Sequence, residues 1–338
     1  MMNSFPKPIP LMEERSWQQL LSHTVDTPQA LLECLDLPNS LLEGAETGSQ
    51  LFPLKVPQPF IDKMEKGNPD DPLLKQVLPL AAEAATVPGF VSDPLNESES
   101  NPLDGLIHKY NGRVLLILSG ACAVNCRYCF RREFPYSSNR LGSEQWDAIL
   151  NYLKADHSIH EVIFSGGDPL ATSDTRLQRM LSDLEAIPHL RRLRIHTRLP
   201  VVIPQRITTE LASILGGTRF QTAMVLHANH PNEIDGLLGD AVNRLKQQGI
   251  TVLNQAVLLK GINDDLNTLV ALSESLFQYG ILPYYLFTLD PVKGAAHFDL
   301  PDEAAIQLHQ QLQAKLPGYL VPKLAREIPD RPSKTLLA

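Results

Sequence analysis

Three of the four cysteines in the chain lie close together, as Cys122, Cys126 and Cys129 in the segment CAVNCRYC. The C-x3-C-x2-C spacing allows three thiolates on one short loop to converge on a small inorganic cluster, and thiolates are the usual ligands of iron–sulfur centres. With three protein ligands, one iron of a four-iron cube would stay open, as positions in catalytic metal sites do. The spacing therefore predicts an iron–sulfur centre with an open iron.

A structural zinc site is the alternative that this spacing leaves open, because closely spaced cysteines are also common in zinc modules. Such a site would need a fourth ligand, and His108, His157 and His160 are the histidines available for that role. In that case the chain would be a zinc-stabilised binding module and not an enzyme.

Other polar residues with ligand-binding chemistry stand where apolar runs end. The segment SGGDP (165–169) follows one such run, and its glycines would let the backbone approach a ligand closely. His227, Gln255 and Asp290 stand near the ends of later runs. Each alone is typical of an ordinary turn or a hydrogen-bonded structural group. Their shared placement is what indicates a ligand site.

The elements that must position these residues follow a regular rhythm, in which apolar runs of strand length alternate with amphipathic stretches of helix length. The predicted strands are 113–120, 161–167, 190–197, 220–228, 251–260 and 282–290. The predicted helices between them are 143–156, 173–186, 207–217, 233–249 and 265–280. The rhythm predicts a parallel sheet covered on both faces, wound open or into a full or partial barrel. In either case ligands bind beyond the C-terminal ends of the strands.

The N-terminal part of the chain is different, because it is rich in proline and turn residues. Helix-like pieces at 17–34 and 72–85 predict an irregular, mostly helical region.

The net charge of −8 argues against a protein that wraps nucleic acid or anionic lipid. No apolar run approaches the roughly 18 to 20 residues of a membrane span, and the start lacks the apolar segment of a signal peptide, so we expect a cytoplasmic protein.

The cysteine loop after the first strand of such a chain resembles the radical S-adenosylmethionine (SAM) superfamily. From about Asp71 to Lys334, a series of segments in order also resembles the lysine 2,3-aminomutase family within it. These segments are CRYCFRREF, SGGDPL, LPVVIPQRIT, NHPNEI, NQAVLLKGIND, YYLFTLD and PSKT. The chain is most similar to the short bacterial branch of that family, which makes β-lysine for elongation factor P.

The resemblance implies an α/β fold, a partial (β/α)6 barrel of the TIM type with a mostly helical N-terminal region. It divides the chain into an N-terminal region (1–100), a radical SAM core barrel (101–300) and a C-terminal segment (301–338).

The resemblance also implies three cofactors: a [4Fe-4S] cluster, SAM and pyridoxal 5′-phosphate (PLP). The cluster would be held by Cys122, Cys126 and Cys129, whose open iron would bind SAM. The residues implied to lie against SAM are Ser165, Gly166, Gly167, Asp168, His227 and Gln255.

Lys334 is implied to bind PLP covalently, and the C-terminal segment would carry it. By itself a lysine so near the end of the chain is typical of a solvated tail. Arg113 is implied to be a ligand of the PLP phosphate; taken alone it is a surface charge at a strand edge.

Substrate recognition follows from charge, because lysine attached to PLP presents a carboxylate and, four methylenes further along, an ammonium. The resemblance assigns the carboxylate to Arg131 and the ammonium to Asp290 and Glu327. At Glu327 the family has an aspartate, so this chain differs there by one methylene.

The implied enzyme is an isomerase that converts free L-lysine to β-lysine, in the R form, by a 5′-deoxyadenosyl radical and PLP. Free lysine is expected because Arg131 suits a free α-carboxylate and because the acidic balance disfavours docking to an acidic protein. A reductase or flavodoxin-type protein would donate electrons, and elongation factor P and its lysyl ligase would use the product. A radical SAM reaction of another type without PLP, with Lys334 as a tail residue, is the closest alternative.

Overall fold

The N-terminal region is built from short helices and one small sheet in the computed structural model, which describes residues 15–136, 139 and 141–338. Its elements are α1 (Trp17–Ser22), β1 (Thr24–Val25), α2 (Pro28–Cys34), α3 (Leu42–Leu51), β2 (Val56–Pro57), α4 (Gln58–Ile61) and α5 (Pro72–Lys75). The stretch predicted as helix-like over 17–34 is therefore split. Pro28 cannot continue a helix from before it, and the β-branched pair at β1 instead bonds β2 in antiparallel register.

The centre of the molecule is one sheet of nine strands, in the order β11-β10-β9-β8-β7-β6-β5-β4-β3. Its strands are β3 (Leu106–Tyr110), β4 (Arg113–Ser119), β5 (Glu161–Gly166), β6 (Arg192–Thr197), β7 (Gln221–His227), β8 (Thr251–Val257), β9 (Leu282–Phe287), β10 (Lys323–Arg326) and β11 (Thr335–Leu336). From β4 to β10 neighbouring strands are parallel, and β3 and β11 add antiparallel edges. All the strands expected from the apolar runs are confirmed, whereas β3, β10 and β11 were not predicted.

Helices connect the parallel strands and cover the outside of the sheet. They are α6 (Ser143–Ala155), α7 (Asp174–Glu185), α8 (Leu199–Val202), α9 (Thr209–Gly216), α10 (Gly236–Gln247), α11 (Leu266–Gln278) and α12 (Asp302–Lys315). Several begin at a side chain that accepts a hydrogen bond from the first turn. These caps are Ser173, Thr208, Asp235 and Asp265. None of the helices in the described residues has both the length and the apolar character that crossing a membrane requires.

The sheet curls so that its two ends approach each other. Lys109 on the edge strand β3 donates a hydrogen bond to Glu327, which follows β10 at the other end, with Nζ and Oε1 3.1 Å apart. This bridge runs between side chains, and in the described residues β3 and β11 are not paired as strands. The architecture is therefore the expected α/β partial barrel.

The N-terminal region packs on the same hydrophobic core as the barrel. Phe60 and Leu74 are fully buried and belong to one continuous apolar cluster with barrel residues such as Phe164 and Leu324. Lys63 also donates to the backbone oxygens of barrel residues 201 and 233. The division at residues 100 and 300 remains a prediction.

Candidate active site

A cavity of about 750 Å³ opens inside the barrel, a size suited to small organic ligands. Every residue that the family resemblance assigned to a cofactor or to the substrate lines it. These are Arg113, Cys122, Cys126, Cys129, Arg131, Ser165, Gly166, Gly167, Asp168, His227, Gln255, Asp290, Glu327 and Lys334. The structure thus brings together residues from along the chain, while the individual role of each stays a prediction.

The three cysteines lie on the loop between β4 and α6, and the N-terminal region holds that loop from outside. Arg127, between two of the cysteines, is fully buried and donates from Nε to Glu83 Oε1 at 2.8 Å. Its backbone N–H donates to the oxygen of Gln76 at 2.9 Å, and the N–H of Asn125 donates to Lys55 at 3.0 Å. Contacts with the N-terminal region therefore fix the position of this loop.

The thiols are partly buried and close enough to affect one another. Burial, together with the charges of Cys129 and Asp168, raises the pKa of Cys122. Burial, followed by the charge of Cys126, raises the pKa of Cys129 to about 11. Thiolates that lie this close together repel one another, and a cationic centre removes that repulsion, so the donor set fits an iron–sulfur cluster.

The zinc alternative finds no support, because its candidate histidines are engaged elsewhere. His108 Nδ1 lies 2.8 Å from the hydroxyl of Tyr152, His160 Nδ1 lies 3.2 Å from the His189 carbonyl oxygen, and the ring of His157 stacks on His189. None of them lines the cavity. In the part of the chain described, no three His, Cys, Asp or Glu side chains surround a single metal ion. A four-iron cube carries each thiolate on a different iron, so it does not need such convergence.

The glycines of SGGDP let the end of β5 approach the cysteine loop. Gly166 has φ of 120°, and a Cβ there would lie 2.5 Å from the carbonyl oxygen of Ser119. A Cβ on Gly167 would lie 2.7 Å from the oxygen of Ala121. The structure shows close approach to protein backbone, and the expected close approach to a ligand stays a prediction.

Asp168 ties this turn to the next one. It is buried, and its carboxylate accepts hydrogen bonds from Thr197 Oγ1 at 2.7 Å and from the N–H groups of Arg198 and Leu199 at 2.8 and 2.9 Å. It also caps its own turn by accepting from the N–H of Leu170. In this structure the side chain therefore organises the loops after β5 and β6, and its predicted contact with SAM is untested.

His227 and Gln255 are register partners at the ends of β7 and β8. The His227 ring stacks on Tyr128, and its Nε2 lies 3.2 Å from the Tyr128 hydroxyl. Burial, followed by the charge of Arg198, lowers the pKa of His227 to about 3. The imidazole is therefore neutral and offers polarity without charge.

The predicted carboxylate ligand, Arg131, is already paired. Its Nε and Nη2 donate to the two oxygens of Glu97 at 2.7 and 2.6 Å, and both residues are buried. Its Nη1 donates to Ser165 Oγ at 3.1 Å. This bidentate pair fixes the plane of the guanidinium. Nη1 is the one nitrogen of the guanidinium that does not bond Glu97.

Lysines and acids from β3 and from residues next to the last strands also line the cavity. Lys334 Nζ donates to Glu327, which also accepts from Lys109. Although burial opposes ionisation, these two lysines lower the pKa of Glu327 to about 2. Burial and the charge of Glu327 raise the pKa of Asp290 to about 7. The guanidinium of Arg113 stacks over the ring of Tyr110, 4.6 Å from its centre.

Several residues of the site were missed by sequence reasoning. Glu97, Lys109, Tyr128 and Arg198 all line the cavity. Glu97, Lys109 and Arg198 are ordinary residue types without distinctive spacing, and the place of each depends on a partner far away in the chain, so no signal in a single sequence marks them. Tyr128 lies between the second and third cysteines of the motif, and that position could have indicated its place beside the thiols.

Comparison with known proteins gives consistent matches. The model of the radical SAM superfamily matches residues 116–234. The chain is 52% identical over 337 residues to the L-lysine 2,3-aminomutase of Haemophilus influenzae, covering 100% of both chains. It is 50% identical to that of Escherichia coli K12 over 95% of this chain and 94% of the relative, and 44% identical to that of Buchnera aphidicola over 97% of each. Such identity over whole chains, on a barrel whose cysteine loop faces the cavity, shows that the chain belongs to the radical SAM lysine 2,3-aminomutase family, a family of isomerases.

Proposed function

We propose that this lysine aminomutase converts free L-lysine to β-lysine in the R form, and that the product serves the modification of elongation factor P. The observation that carries the proposal is the single cavity that holds both the three thiols and Lys334. An enzyme that uses a radical centre and PLP on one small substrate needs both groups within reach of the same space.

Family membership implies a [4Fe-4S] cluster, SAM and PLP, and the residues present fit them. The three neighbouring thiols suit the cluster, and a lysine amine inside the cavity suits the aldehyde of PLP. When bound, these groups supply a radical that removes hydrogen from the substrate and a carrier for its migrating nitrogen. The protein supplies orientation and keeps water out.

Substrate orientation is assigned to charged side chains at fixed places. Arg131, held by Glu97, would donate from Nη1 to the substrate carboxylate. No cation among the described residues donates a hydrogen bond to the carboxylate of Asp290. The substrate ammonium would therefore be the cation that pairs with it. Glu327 already has Lys334 and Lys109 as partners. We therefore assign Asp290 the larger share of ammonium recognition.

Free lysine is the proposed substrate because the arginine in the cavity suits a free carboxylate. That group is lost when lysine is joined through its carbonyl to another amine. The net charge of −8 also disfavours docking to an acidic protein. A separate ligase would then attach β-lysine to elongation factor P, and a reductase or flavodoxin-type protein would supply the electron.

The test incubates the reduced enzyme and SAM with free L-lysine and, separately, with lysylated elongation factor P. Chromatography of chiral derivatives then identifies the product. We expect (R)-β-lysine from the free amino acid. Rearrangement only of the protein-bound lysine would overturn the proposal and the role of Arg131, and an S product would overturn the assigned enantiomer.

A further inference from the structure

Arg198 follows β6 and lies directly against one of the cysteines. Its Nη1 donates to the sulfur of Cys126 with 2.8 Å between the two atoms. The side chain is 8% exposed, so water competes little for it. A fixed cation therefore sits beside one predicted cluster ligand.

The position of this guanidinium is determined from several directions. Its Nη2 donates to Gln76 Oε1 at 2.8 Å and to Glu233 Oε2 at 3.1 Å. Its backbone N–H donates to Asp168 Oδ2 at 2.8 Å, and Tyr128 contacts its Nη1. These partners come from the N-terminal region, the cysteine loop and the ends of neighbouring strands. Arg198 consequently cannot move away from Cys126 without breaking buried hydrogen bonds.

Glu233 partly offsets the charge of Arg198. It is fully buried, and its other oxygen accepts from the N–H groups of Asn229 and His230 at 2.8 and 3.0 Å. A glutamine at position 233 could still accept these bonds through its amide oxygen. Its amide NH2 group would replace Oε2 and lose the bond from Arg198 Nη2, while Gln76 and Asp168 would still hold Arg198. The negative charge at this place can therefore be removed at the cost of one bond of Arg198.

We propose that Arg198 is a positioning residue that acts through Cys126 to set the reduction potential of the cluster. The inference rests on the cluster at the three cysteines but not on the identity of the substrate. Reduction adds one electron from a low-potential donor, so the reduced cluster is more negative by one charge. A cation hydrogen-bonded to a ligand sulfur stabilises that form and raises the potential.

Two substitutions should therefore move the reduction potential of the cluster in opposite directions. Arg198→Gln removes the cation and should shift the potential to more negative values. Glu233→Gln removes the opposing anion and should shift it to more positive values. A general loosening of the site would not produce shifts of opposite sign.

The experiment is a redox titration of the cluster-loaded variants with a low-potential chemical reductant and mediators, followed by electron paramagnetic resonance of the reduced cluster. Arg206→Gln is the matched control, because Arg206 is another fully buried arginine whose partners are Asp174 and the oxygens of residues 170 and 172. We expect its potential to match the native protein. Iron content and thermal unfolding are measured in parallel.

Shifts of the same sign in both variants, no shift in either, or an equal shift in Arg206→Gln would overturn the inference. If Arg198→Gln does not fold, Arg198→Lys and Glu233→Gln still test it: the lysine variant should stay near the native potential, and the glutamine variant should become more positive. Absence of a cluster in the native protein would contradict the proposed function itself. That outcome is distinguishable from failure of the inference about Arg198, in which the cluster is present but its potential does not shift as expected.

Discussion

Lys334 and Glu327 form an ion pair inside the barrel, and Lys109 bonds the same carboxylate from the opposite edge of the sheet at 3.1 Å. The ammonium of Lys334 also lies 4.9 Å from the centre of the Phe287 ring. Just beyond it, β11 pairs with β10 through Thr335. A lysine close to the end of the chain is thus held in the cavity by backbone pairing and by charge, and is not part of a solvated tail.

Replacing Lys334 by alanine should abolish the visible absorbance of bound PLP and leave the iron content near the native level. The reason is that the cysteines and Lys334 lie on separate segments of the chain. Lys109→Ala is the control, because it removes the other cation from Glu327 while the amine proposed to bind PLP stays, so its PLP absorbance should persist. Unchanged PLP absorbance in Lys334→Ala would show that Lys334 does not bind PLP and has only a structural role.

Asp290→Asn should weaken lysine binding more than Glu327→Gln does. Removing a buried partner of an ammonium costs on the order of 2 to 5 kcal/mol, so the loss of affinity should be at least about tenfold. Glu327→Gln should cost less, since its carboxylate is already bound to two lysines of the protein. Lysine affinity of the PLP-loaded variants provides the measurement, with Asp299→Asn, outside the cavity, as control. Equal, small effects would place ammonium recognition elsewhere.

Lysine affinity should also depend on pH through Asp290, whose pKa burial and the charge of Glu327 raise to about 7. Below that pH the carboxyl group is increasingly protonated and cannot pair with an ammonium. The ionised fraction rises roughly tenfold between pH 6 and 8, and the Asp290-dependent part of the affinity should rise with it. The dissociation constant measured across this range, native against Asp290→Asn, isolates the effect. A native profile as flat as that of the variant would contradict it.

The parallel barrel was predictable because its elements are long and periodic. Apolar runs and amphipathic helices recur from Arg113 onward, and the cysteine spacing marks the loop after the first of these strands. The strands β10 and β11 escaped prediction because they are short, with four and two residues, and take their stability from a neighbour. The hydrophobic pattern therefore predicted the parallel barrel, whereas the short strands depend on pairing with neighbouring strands.

The charge pairs of the site were not predictable from the sequence. Glu97 fixes Arg131, and Glu83 fixes Arg127, across 34 and 44 residues of chain. Lone acidic residues in a proline-rich region are indistinguishable from solvated ones until the fold brings an arginine to them. For Asp168 the motif SGGDP indicated a functional residue. The motif did not predict that its carboxylate bonds the loop that carries Arg198.

Gly166 lies where the end of β5 meets the start of the cysteine loop. Its φ of 120° is unfavourable for any residue with a Cβ, and an added Cβ would lie 2.5 Å from the Ser119 oxygen and 3.1 Å from Ile117 Cγ2. Backbone strain and overpacking each cost on the order of 1 to 3 kcal/mol, so Gly166→Ala should lower the free energy of unfolding by about 2 to 6 kcal/mol.

Gly236→Ala is the matched control for this substitution. Gly236 is the first residue of α10, and a Cβ there would meet nothing within 4 Å. Alanine favours the helix, so the control should be neutral or stabilising by up to about 1 kcal/mol. Denaturant unfolding followed by circular dichroism compares the two variants with the native protein. Because Gly166 supports the loop that carries Cys122, its alanine variant should also take up less iron than the control. Equal unfolding midpoints and equal iron contents would show that the strand end can relax away from Ser119, and that this close contact does not hold the cysteine loop.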